Sequence, residues 1–89
     1  MVIHAVISYP KVKKIYGVRT LKEAREVIAS RFEEKLEEIA LEGSFWYSLW
    51  NREGTRRIGE SYSIKANDKK DLEVVRELLR DVADKVELL

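Results

Sequence analysis

Apolar and polar residues alternate from Val2 to Tyr9, with Ile3, Ala5, Ile7 and Tyr9 on one side and Val2, His4, Val6 and Ser8 on the other. That is the period of a β-strand, and Pro10 stops it. Past a turn at Pro10 and Lys11, Val12 to Arg19 resumes a looser alternation. This predicts a second strand, weakened by Gly17, that forms a hairpin with the first. The period then changes. Leu21, Ala24, Ile28, Phe32, Leu36 and Ile39 recur every three or four residues, the stripe of an amphipathic helix. Thr20-Leu21-Lys22-Glu23 reads as its capping box and Gly43 as its left-handed exit.

Alternation returns in Ser44 to Trp50 and Thr55 to Lys65, a second predicted hairpin. A tight Glu53-Gly54 turn would set Phe45 opposite Tyr62, Leu49 opposite Ile58 and Trp50 opposite Arg57. A four-residue loop over Asn51 to Gly54 would shift the pairs by two and keep the faces. Asn67 or Asp68 is placed to cap a second helix, whose seam is Leu72, Val75, Leu79, Val82 and Val86. Val86 to Leu89 is the segment that could leave this helix as a short last strand.

The pattern therefore predicts one α+β domain over residues 1–89 in the order ββαββα. It is a two-layer sandwich, a four-stranded antiparallel sheet with two helices on one face. Weak echoes between Ile15-Tyr16-Gly17-Val18 and Ser61-Tyr62-Ser63-Ile64 suggest a pseudo-repeat of ββα units at about 1–42 and 44–89. The alternative is a ferredoxin-like βαββαβ order, with Val12 to Arg19 as a long connection and Val86 to Leu89 as the fourth strand.

Composition narrows the class. Of 89 residues, 45% are apolar, enough for a packed core, and 37% are charged. Glutamine is absent and Met1 is the sole methionine, a bias shared by thermophile proteins and designed ones. With no cysteine, disulfides, thiolate metal sites and a cysteine nucleophile are excluded. No apolar run reaches the ~20 residues that span a bilayer, and the amino terminus lacks a signal-peptide pattern, so a cytoplasmic protein without membrane partners is expected.

Net charge is +1, unevenly spread. Leu21 to Glu42 carries −3, Asp68 to Leu89 carries −2, and the remaining strands and turns carry +6. Half the aromatic residues fall in Phe45-Trp46-Tyr47-Ser48-Leu49-Trp50. On the expected register Phe45, Tyr47 and Leu49 point into the core, while Trp46 and Trp50 lie on the exposed face opposite Arg57 and the small Gly59, Ser61 and Ser63.

That makes a candidate binding face of Trp46, Trp50, Arg52, Arg56, Arg57 and Lys65, with Lys13 and Lys14 as a second basic run. Such a face suits a protein partner or a homodimer, since exposed aromatic patches mark interfaces. It would equally stack unpaired bases and hold phosphates, a nucleic-acid reading. A third reading has no ligand, with Trp50 resting on Arg57 as a cation–π pair in a structural or designed domain.

Catalysis finds no support in motifs: there is no Gly-x-Ser-x-Gly elbow, phosphate-binding glycine loop or His-Glu helix motif. His4, the only histidine, reads as packed or surface, so no metal and no cofactor are expected. Glu60 faces inward on the predicted strand and reads as a strand-end or ion-paired carboxylate.

Overall fold

The computed structural model describes the backbone of residues 1–89 and the side chains of all except 41–44. Four strands and three helical bodies follow in the order β1 (Val2–Ser8), α1 (Tyr9–Tyr16), α2 (Leu21–Ile28), α3 (Glu34–Ile39), β2 (Ala40–Trp50), β3 (Arg57–Ala66), α4 (Lys70–Leu79) and β4 (Ala83–Leu88). A π-helical turn, Ala29–Glu33, joins α2 to α3 without a break in helical backbone. The strands form one antiparallel sheet ordered β2-β3-β1-β4.

The expected strand over Val12 to Arg19 is a helix, so the order ββαββα does not hold. The local reasons lie in the residues. Ser8 caps α1 by accepting a hydrogen bond from the Lys11 amide at 3.3 Å, and Pro10 sits in the first turn, where its missing N–H costs nothing. Gly17 leaves at φ 66°, and its N–H reaches the Lys13 carbonyl. Tyr9 and Val12 are buried, and Tyr16 packs against the core at the same helical spacing. With α1 inserted in the first connection, the elements follow the sequence of the βαββαβ alternative.

The Thr20 capping box forms as expected: the Thr20 hydroxyl accepts from the Glu23 amide at 3.1 Å, and Glu23 accepts from the Thr20 amide at 3.2 Å. The Thr20 hydroxyl also donates to the Glu23 carboxylate at 2.9 Å, and this bond, with that from the Thr20 amide, holds the Glu23 carboxyl below its ordinary range. The helix ends at Ile39, where Ala40 is already extended, and the expected exit at Gly43 lies outside the fully described residues. The N-cap position of α4 is Lys69, without a side-chain cap, rather than Asn67 or Asp68; the Asp68 carboxylate accepts from the Lys70 amide at 2.9 Å just before the helix. The last strand starts at Ala83, earlier than Val86.

Inward positions of the sheet and the helical stripes form one cluster. Ile3, Ala5 and Ile7 from β1 and Tyr62 and Ile64 from β3 meet Tyr9 and Val12 from α1, Ala24, Ile28, Phe32 and Leu36 from the long rod, and Val75 and Leu79 from α4. All are buried, which supplies the main apolar driving force for the fold.

Candidate interaction surface

Strand alternation and the observed pairing define the second face of the sheet. Two rows cross all four strands: Tyr47, Ser61, Val6 and Lys85, then Phe45, Ser63, His4 and Glu87. Phe45 is 60% and Tyr47 53% exposed. The small serines of β3 leave room beside them, and a concavity of about 360 Å³ is lined by His4, Val6, Tyr47, Leu49, Ser61, Asp84 and Lys85. Within it His4 Nε2 lies 2.8 Å from Ser61 Oγ and Nδ1 lies 3.5 Å from Glu87 Oε1.

This reverses the expected faces of β2. Trp50 does pair with Arg57, but the next pair is Leu49 with Gly59, which leaves Ile58 as an extra residue. The bulge sets Phe45 opposite Ser63 and Trp46 opposite Tyr62. A shift of one residue turns every side chain over, whereas the two-residue shift allowed by a longer loop would not. The turn itself runs from Asn51 to Arg56: the Asn51 amide donates to the Arg56 carbonyl at 2.8 Å, and the Asn51 side chain accepts from the Thr55 and Arg56 amides.

Trp46 therefore lies on the inner side, where the Arg25 guanidinium covers its ring at 4.1 Å and Tyr62 packs at 6.4 Å between centroids. Below them sits Glu60, fully buried as the sequence pattern indicated, and ion-paired. Arg25 Nη1 donates to its carboxylate at 2.6 Å, the Tyr9 hydroxyl donates at 2.7 Å and the Tyr62 hydroxyl at 2.6 Å. Arg25 also donates to Glu33 at 3.1 Å, and Arg57 Nη2 donates to the Tyr9 oxygen at 3.3 Å. Glu33 belongs to the π-helical turn, so that irregularity brings a second carboxylate to the cluster.

Burial, then the Glu60 carboxylate, pushes the Tyr9 and Tyr62 phenols well above their ordinary value. Burial alone would weaken the proton of Arg25, but the bonds to Glu60 and Glu33 outweigh it and hold the guanidinium charged. Every oxygen of Glu60 is engaged, so the cluster clasps α1, the long rod and β3 together. Its partners Tyr9 and Arg25 escape a reading by faces alone, although Arg25 borders the Ala24–Ile28 stripe.

The expected binding residues divide. Arg52 and Arg56 are exposed on the β2–β3 turn, beside the half-exposed Trp50. Arg57 is drawn into the Glu60 cluster. Lys13 and Lys14 lie in the last turn of α1 rather than on a strand. Lys65 pairs with Val2 near the far end of β3, eight residues from Arg57 or roughly 26 Å at ~3.3 Å per residue. The single basic aromatic face does not form: on the second face Lys65 and Lys85 accompany Glu87, and Asp84 at its rim pairs with Lys11 of α1.

No family model, curated protein or solved structure matches this chain significantly. Among the described residues, no group of His, Cys, Asp and Glu could hold a metal ion, and no helix is long and apolar enough to cross a membrane.

Proposed function

We propose that this protein is a small non-enzymatic interaction module that binds protein, in the first place a second copy of itself, through the aromatic surface of β2. The same surface would serve an accessory subunit on a larger partner. The carrying observation is the adjacent exposure of Phe45 and Tyr47 on a sheet face opposite the one the helices pack against. An apolar patch with few charges around it suits a polypeptide better than a polyanion. Sedimentation velocity over a concentration series tests the reading. Dimers that Tyr47→Glu converts to monomers are expected, and a wild-type monomer at every concentration would overturn self-association.

A second reading rests on the turn, where Trp50 is 50% exposed next to Arg52 and Arg56. There the indole stacks an unpaired base and the arginines hold phosphates. Titration with short single-stranded DNA and RNA should then quench tryptophan fluorescence in a salt-sensitive way that Trp50→Ala abolishes. An unchanged spectrum at low salt removes this reading.

A further inference from the structure

Although 37% of the residues are charged, two long stretches carry no formal charge, residues 1–10 and 43–51. The first contains β1, which lies inside the sheet between β3 and β4. The second makes up most of β2, which lies at an edge and pairs with β3 alone. An edge strand leaves a row of backbone N–H and C=O groups without strand partners, and proteins guard such rows with charge, proline or brevity. The opposite edge is guarded: six-residue β4 carries Asp84, Lys85 and Glu87. β2 is eleven residues long and has no such guard between 43 and 51. Of the nine exposed large apolar side chains among the described residues, four are Phe45, Trp46, Tyr47 and Trp50. β2 has the composition of an interior strand in an edge position.

We propose that β2 pairs antiparallel with β2 of a second copy about a two-fold axis at Tyr47, the middle of the uncharged stretch, joining two sheets into one of eight strands. The inference rests on the protein-interaction reading and names its partner and geometry. In this register Phe45 meets Leu49 of the other copy, Trp46 meets Ser48, and the two Tyr47 side chains meet each other. These pairs are apolar, aromatic or small, and no like charges face one another. The flanks are of opposite net sign: Glu37 and Glu38 are exposed just before β2, and Arg52 and Arg56, with Glu53 between them, just after it. Antiparallel pairing sets the acidic end of each copy beside the basic turn of the other. The contact is isologous and closes at two copies, because the outer edges are then both β4.

The chain has no cysteine, so one introduced thiol is unique. Directly paired residues have Cα atoms about 4.5–5.5 Å apart, within disulfide reach. Oxidation should therefore convert Tyr47→Cys to a covalent dimer, while Ser63→Cys on the second face stays largely monomeric. In the wild-type protein, hydrogen exchange of residues 45–50 should slow as concentration is raised, and Ser48→Lys should weaken association at least tenfold. A dimer that cross-links through Ser63→Cys and not Tyr47→Cys overturns the edge pairing and leaves the interaction reading standing. A wild-type monomer with exchange independent of concentration overturns both.

Discussion

Arg25 Nη1 stands 2.6 Å from both carboxylate oxygens of Glu60, a side chain with no exposure to water. Removing one member of such a pair strands the other charge in a medium that solvates it poorly. Arg25→Met should lower unfolding free energy by about 3 kcal/mol in urea titration. Adding Glu60→Gln should recover a large part of that loss, and strict additivity of the two changes would show that they do not form one unit.

Tyr9 and Tyr62 hold their protons more tightly in the fold than in the unfolded chain, where a phenol ionises near 10.0. The unfolded state therefore releases protons first as pH rises. The stability these groups contribute is fully present below that value and is lost above it. Absorbance at 295 nm and circular dichroism, followed together, should show the Tyr9 and Tyr62 phenolates only as the fold is lost. Ionisation of all four tyrosines with the dichroism intact would contradict the burial of this pair.

Gly59 lies between Leu49 and Ser8 at the bulge, and a Cβ there would overlap the Ile7 carbonyl oxygen. Because that neighbour is backbone of a central strand, it cannot swing aside. Gly59→Ala is expected to cost about 1–3 kcal/mol in thermal or urea unfolding, in the range of overpacked cores. At Gly17 the space is open and only the left-handed φ of 66° opposes a side chain, so Gly17→Ala should cost roughly 1 kcal/mol.

Lys11 makes an ion pair with Asp84 at 2.9 Å and donates to the Ala83 carbonyl, tying α1 to the start of β4. Both side chains are about half exposed, so water screens the pair. Lys11→Ala should change stability by less than about 1 kcal/mol. A loss as large as that of Arg25→Met would mean that this contact closes the sheet edge.

The periodicity of residues 2 to 9, the long apolar stripe from Leu21 to Ile39 and the Thr20 capping box were legible because each depends on near neighbours. α1 was read as a strand, although Ser8, Pro10 and Gly17 and the spacing of Tyr9, Val12 and Tyr16 are also the signals of a helix. The same Pro10 and Gly17 also serve as strand breakers, and that ambiguity concealed the helix.

The faces of β2 were not legible. Two chains with the same alternation, one with a bulge at Ile58 and one without, present opposite side chains to solvent, and the choice follows from how β3 fits β1 and the Tyr9, Arg25 and Glu60 cluster. Local sequence is enough for periods, caps and the absence of cysteine, because those act over a few bonds. Register, and with it which face of the sheet carries Trp46 and which carries Tyr47, is settled by contacts between residues dozens of positions apart, which only the folded chain brings together.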